Sequence, residues 1–158
     1  MKERAYHEQV NIKNEVFALD STTISLSINL FTWAEGKYTR GAVKVHTLLN
    51  LRGSIPEFVL VTDGKYHDSN VLDVIIPQSN AIYLMDKAYV DFEALYRIQI
   101  EDAYFVTRAK SSIKYDVIEQ NFNIDLTTGL RADKTIVLTI AKSKKLYPEK
   151  LRLVEFYD

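Results

Sequence analysis

Asp20 and Asp86 are the side chains whose surroundings best suit them for chemistry. Asp20 closes the apolar run Val16-Phe17-Ala18-Leu19, and Asp86 closes Ala81-Ile82-Tyr83-Leu84-Met85. Runs of that length and type fit buried strands, so each carboxylate is expected where a sheet meets solvent. Two carboxylates side by side repel unless a cation or a proton stands between them. Their hard oxygens suit a divalent cation such as Mg2+. A pair of such cations, about 3.5–4 Å apart, can clamp the attacking and leaving oxygens of a phosphoryl displacement. An aspartate at a strand end is also a common turn or cap residue, and that reading stands beside the catalytic one. The chain between the two acids holds a hairpin and a helical crossover. That allows the fourth strand to lie parallel to the first, with both carboxyl ends at one edge. No third carboxylate in an equally clear setting follows before Asp158.

The elements that must position these acids follow from pattern. Residues 1 to 14 are polar without a clear period and read as an N-terminal extension. Val16 to Leu30 alternates like a strand, with Ile24, Leu26 and Ile28 against Ser25, Ser27 and Asn29. Phe31 to Arg40 reads as a loop. Gly41 to Leu51 and Pro56 to Thr62 give a second and a third strand, joined by Asn50-Leu51-Arg52-Gly53-Ser54 as a hairpin in an antiparallel meander. Asp68 or Ser69 can cap a short helix through Ile75, which Pro77 ends. Ala81 to Met85 is the fourth strand. Asp91 opens an amphipathic helix whose apolar face is Phe92, Leu95, Tyr96 and Ile98 to Ile100. Ala103 to Thr107 is the fifth strand.

After Lys110 the texture turns β-rich, with strands expected at Tyr115–Ile118, Thr135–Ile140 and Leu151–Tyr157. Connections are expected at Asp125–Gly129 and Lys142–Pro148. The organisation is therefore an extension over 1–14, a core over 15–110 and a β-rich segment over 111–158. The fold class is α/β, a mixed sheet covered by helices.

Bulk composition narrows the partners. A chain of 158 residues with 47% hydrophobic content can bury a core as one ordinary domain. There is no cysteine, which excludes disulfides and thiolate metal sites. His7, His46 and His67 are too scattered for a zinc motif. No run reaches the length of a membrane span or a signal segment, so the sequence reads as a cytoplasmic protein. The net charge of -1 argues against a wholly basic nucleic-acid binder but leaves room for a local basic face. Lys37, Arg40, Lys44 and Lys65, or Arg108, Lys110 and Lys114, would supply it.

Among these, Lys44, Arg108 and Lys110 can contact phosphates, against the alternative of solvated surface charges. Trp33 can meet an unstacked base or anchor its own loop. No Ser-His-Asp or Cys-His arrangement and no phosphate loop competes with the two acids.

Five stretches in order resemble one known family. They are Ala18-Leu19-Asp20-Ser21-Thr22-Thr23, Val43-Lys44-Val45-His46-Thr47-Leu48-Leu49, Asp63-Gly64-Lys65-Tyr66-His67-Asp68, Tyr83-Leu84-Met85-Asp86-Lys87-Ala88-Tyr89 and Tyr104-Phe105-Val106-Thr107-Arg108-Ala109-Lys110. Together they resemble bacterial DDE transposases of the fourth insertion-sequence group, from about residue 15 to residue 158.

The resemblance implies a ribonuclease-H-like core with Asp20 and Asp86 as two of three catalytic carboxylates binding Mg2+ (or Mn2+). The metals would activate water or a DNA 3′-hydroxyl for attack on a phosphodiester, giving donor nicking and strand transfer. The partners implied are insertion-sequence ends and target DNA, with a homodimer allowed for the full-length enzyme and no membrane. His67 and Asp68 resemble a family pair near the second acid. His67 would touch phosphate or a metal-bound water, or else be a turn residue before a cap at Asp68. Tyr89 would meet DNA or pack under the following helix. Lys87 stands where the family carries arginine, which keeps the charge and loses the bidentate fork.

The segment after Lys110 corresponds to the family's insertion between the second and third acids. Glu149 and Glu155 lie within that segment and are not promoted to a triad. The family's third acid, a glutamate in a Tyr-Arg-Glu-Lys-type signature, has no counterpart in this chain. The expectation is a transposase fragment inactive alone. Two alternatives are a non-catalytic DNA-binding or regulatory remnant, and a nuclease with Asp63, Asp68 or Asp91 as substitute third acid.

Overall fold

The computed structural model describes residues 12–26 and 41–157. The expectations for residues 1–11, for a strand over 27–30 and for the loop of Trp33, Lys37 and Arg40 lie outside the described residues. The described residues form a five-stranded mixed sheet and a three-stranded antiparallel sheet with few helices.

The large sheet is built from a meander and two parallel additions. β1 (Val16–Leu26) pairs antiparallel with β2 (Gly41–Asn50), and β2 pairs with β3 (Ile55–Asp63). β4 (Ile82–Met85) lies parallel to β1 on its other side, and β5 (Tyr104–Thr107) lies parallel to β4. The order is β3-β2-β1-β4-β5. The link from β3 to β4 is a short 3-10 helix at Asp68–Asp73 that stops well before Pro77. Its cap position is His67, which makes no capping hydrogen bond. Asp68 is not a cap, because its carboxylate is drawn across to Lys44 and Ser21.

α1 (Phe92–Ile100) begins where Asp91 accepts the amides of Glu93 at 3.0 Å and Ala94 at 3.1 Å. That satisfies two of the donors a helix start leaves open. Its buried stripe is Ala94, Leu95 and Ile98, while Ile100 stays exposed at the frayed end. The stripe packs with Phe17, Leu19, Leu48, Tyr83, Met85 and Tyr89 into one core. Phe17 and Tyr83 stack at 5.3 Å between ring centroids.

Alternation assigns the sheet's two faces. Phe17, Leu19, Leu48, Tyr83 and Met85 point to the α1 side and are buried. Residues of the opposite parity point away, and there Ile24, Val59, Val61, Tyr104 and Val106 are exposed. One face of this sheet is thus covered by the described elements and the other is open.

β6 (Tyr115–Asn121), β7 (Leu130–Leu138) and β8 (Leu151–Phe156) form the second sheet. β7 starts five residues ahead of the expected Thr135, because Arg131, Asp133 and Lys134 mask its period. The connection expected from Lys142 carries a helix, α2 (Ala141–Leu146), of too few apolar residues to show a stripe. This sheet docks through Tyr147, whose buried ring meets Tyr96 and Phe105 edge-on and whose hydroxyl donates to Gln99 Oε1. Among the described residues, no helix is long and apolar enough to cross a membrane.

Candidate metal and DNA site

Where parallel pairing stops, a row of charges begins. Leu19, Met85 and Thr107 are the last residues in register across β1, β4 and β5. The next residue on each is Asp20, Asp86 and Arg108. Asp20 closes its apolar run but not its strand: β1 continues past it, as the alternation from Val16 onward leads one to expect, and Asp20 pairs opposite Thr47 of β2. What ends at Asp20 is the parallel partner, and this opens the edge beside it. Adjacent strands lie about 4.8 Å apart, so the two acids are neighbours across one strand spacing. Both border a single open hollow with Leu19, Leu84, Met85, Val106, Thr107 and Arg108.

Asp86 is held more tightly than Asp20. It caps the 3-10 turn Lys87–Tyr89, accepting the Ala88 amide at 3.1 Å, and its other oxygen takes the Arg108 guanidinium. The Arg108 hydrogen bond, helped by the Ala88 amide, holds the Asp86 carboxyl below its ordinary value. Asp86 is therefore ionised near neutrality, and the charge it carries is answered by a cation. Asp20 is exposed on the same face.

Two carboxylates supplying hard oxygens fit a cation that keeps most of its waters, as Mg2+ does at sites completed by substrate phosphates. Among the described residues there is no group of three His, Cys, Asp or Glu able to hold a metal. The candidate substitutes are engaged elsewhere. Asp63 accepts the amides of Lys65 and Tyr66 at 2.8 and 2.9 Å, Asp68 pairs with Lys44, and Asp91 caps α1.

The residues expected to touch DNA divide into two groups. Lys87 and Arg108 are exposed beside Asp86, and His67 is exposed at the 3-10 helix, its Nδ1 3.1 Å from Ser69 Oγ. Lys44 is turned inward: its ammonium donates to Tyr66 O at 2.9 Å and to Asp68 at 3.1 Å. Lys110 donates to the Val90 carbonyl at 3.0 Å. Tyr89 is 1% exposed, so its ring packs in the core and not toward solvent.

Sequence reasoning missed a polar cluster behind the acids. Ser21, which follows Asp20, faces the covered side and donates to Asp68 at 3.2 Å. His46, opposite Ser21 on β2, is fully buried, with Nε2 3.1 Å from Thr62 Oγ1. Burial holds the His46 imidazole below its ordinary value, the Asp68 charge opposing. Strand alternation could have put Ser21 behind Asp20, but the hairpin register that brings His46 opposite it carries no local signal.

Comparison with known proteins bears on the family of the chain. The model of a family described as the transposase DDE domain matches residues 12–154, spanning both acids and both sheets. A Sinorhizobium fredii protein titled transposase y4zB is 30% identical over 102 residues, covering 65% of this chain and 28% of that protein. A Geobacillus stearothermophilus protein titled as a transposase for insertion sequence element IS5377 is 31% identical over 96 residues, covering 61% of this chain and 25% of its own length. The matched region thus spans about a quarter of each relative. No solved structure matches the chain. With two acids on adjacent parallel strands and a family match running through them, the chain belongs to the transposase DDE domain family.

Proposed function

We propose that this chain is part of the catalytic core of an insertion-sequence transposase, in which Asp20 and Asp86 hold a divalent cation at the edge where DNA is cut and joined. The observation that carries the reading is the shared row of Asp20 and Asp86 beyond the last parallel pair, opening on one hollow. When bound, Mg2+ or Mn2+ would neutralise phosphate charge and strengthen an attacking oxygen.

The chain's own residues do the rest by placement. Asp86 is fixed by its turn and kept ionised; Arg108 and Lys87 put positive charge beside it, where a phosphodiester backbone would lie. His67 adds an exposed polar group on the same approach. Lys110 contributes through its backbone anchor at the head of α1, and Lys44 and Tyr89 act from inside.

The strand order β3-β2-β1-β4-β5, three antiparallel strands followed by two parallel ones, supports the ribonuclease-H-like reading. Under it, residues 15–110 are the core and 111–158 an insertion between acids. The parent enzyme would act on its own insertion-sequence ends and a target DNA, as a homodimer in the bacterial cytoplasm. Since the described residues bring two acids together and not three, this stretch alone would hold the cation without turnover.

The test is Mg2+- or Mn2+-dependent nicking of terminal-repeat DNA by the full-length protein and by this chain. Nicking by the full-length protein should vanish in Asp20→Ala and in Asp86→Ala, and this chain alone should nick nothing. Cleavage that survives both substitutions would overturn the assignment.

A further inference from the structure

Asp20 stands midway along a long strand, so its aim depends on how firmly that strand is held from behind. The next residue, Ser21, turns to the covered face and donates to Asp68 Oδ1 at 3.2 Å. The same oxygen accepts Lys44 at 3.1 Å, and Lys44 is itself tied to the Tyr66 carbonyl. His46 Nδ1 lies 3.9 Å from that oxygen, fully buried and without a hydrogen-bond partner.

Tyr89 reaches the same corner from the other acid. It ends the 3-10 turn that Asp86 caps. Its hydroxyl is buried beside Ser21, in the field of Asp68, Asp20 and Asp86, without a well-formed hydrogen bond. Burial pushes this phenol up to about 12, so it keeps its proton at neutral pH. A phenylalanine would fill the same core space without burying a polar atom. A hydroxyl kept there at a cost in stability points to a task other than packing.

We infer that Tyr89 and Asp68 are positioning residues for the two acids: Asp68 fastens Ser21 from behind, and Tyr89, which ends the turn that Asp86 caps, closes the same buried corner with its hydroxyl. Ligand carboxylates are commonly tuned through such outer partners. The inference rests on the cation reading above.

Mn2+ uptake, followed by the loss of the free-ion electron paramagnetic resonance signal, separates the two. It is measured on this chain and on Asp86→Asn, Tyr89→Phe, Asp68→Asn and Asp68→Glu, each with a thermal melt. Asp86→Asn should abolish uptake. Tyr89→Phe should melt at or above the parent temperature yet bind Mn2+ about tenfold more weakly. Asp68→Asn should weaken binding similarly, with partial rescue in Asp68→Glu.

Parent-like Mn2+ affinity in Tyr89→Phe, with Asp86→Asn still dead, would overturn the inference and leave the cation reading intact. Loss of affinity only in step with loss of melting temperature would reduce both residues to structural ones, and so overturn it too. No Asp86-dependent uptake by the parent chain would overturn the cation reading itself, and the inference with it.

Discussion

Leu19 of β1 and Met85 of β4 form the last pair of their parallel ladder, and the residue after each is an acid. Both partners are buried, at 3% and 7% exposure, so the pair is a fixed platform from which Asp20 and Asp86 project. A slip of one residue in this register would send one of the carboxylates to the covered face. The third strand adds Arg108 in the same row, which turns two repelling charges into a partly neutralised set.

Arg108 therefore sets the charge state of Asp86. Asp86 is lowered from its ordinary 3.8 chiefly by the Arg108 hydrogen bond. A lowered carboxyl contributes stability that is present above its unfolded value and is lost as pH falls through the folded one. Arg108→Ala should return the Asp86 carboxyl toward 3.8, read as its 13C chemical shift against pH, and should flatten the acid limb of stability below that value. In the full-length protein the same change should make the salt dependence of DNA binding shallower, by about 0.9 in the log–log slope for one lost phosphate contact. An unmoved Asp86 titration would show that the ion pair does not persist in solution.

His46 gives the fold a second pH dependence with a different window. Burial lowers its imidazole below the ordinary 6.5, so the folded chain prefers it neutral while the unfolded chain takes up a proton. The associated stability is full above 6.5 and is lost as pH falls from there through the folded value. Melting temperature should fall over that window in the parent chain and stay nearly level in His46→Gln, whose amide can still reach Thr62. Equal slopes in the two proteins would mean that His46 protonates freely in the folded state.

The acids were legible in the sequence because each follows an unbroken apolar run of strand length, whose end marks where a side chain meets solvent; that only one face of the sheet is covered by the described elements was not legible there. Asp91 was legible as a cap because a capping aspartate needs only its own next turn. Asp68 was misread for the opposite reason. Its partners, Lys44 and Ser21, come from two other strands, and nothing near residue 68 announces them. Tyr89 held two readings until its side chain was seen buried in the core. The start of β7 and the helix α2 were hidden by charge, since Arg131, Asp133, Lys134 and the lysines of Ala141–Leu146 leave no apolar period to count.

Tyr147 joins the three-stranded sheet to α1. It is 2% exposed, packs edge-on against Tyr96 and Phe105, and bonds Gln99 through its hydroxyl. Truncating a buried aromatic commonly costs about 3–5 kcal/mol, the cavity included. Tyr147→Ala should lower urea stability by that order and uncouple the sheets, so that one cooperative transition becomes two. Tyr147→Phe should keep a single transition and lose only about 1 kcal/mol for the hydrogen bond. A single unshifted transition in Tyr147→Ala would show that the two sheets are held together elsewhere.

Gly129 tests whether damage to the second sheet reaches the acids. It sits at φ +90° between a 3-10 turn and β7, a backbone region that side chains resist. An added Cβ would lie 2.9 Å from Phe156 Cζ and 3.0 Å from the Tyr157 carbonyl. The Phe156 ring is exposed and can swing away, but the Tyr157 carbonyl is backbone, and Tyr157 N already donates to Gly129 O at 2.9 Å. Gly129→Ala should therefore cost more than about 1 kcal/mol, strain and contact adding together. The loss should be local: amide exchange should rise at the Leu130 end of β7 and the Phe156 end of β8, with the Mn2+ uptake proposed for Asp20 and Asp86 unchanged. Faster exchange in β1 or β4 would mean instead that the acids depend on the far end of the second sheet.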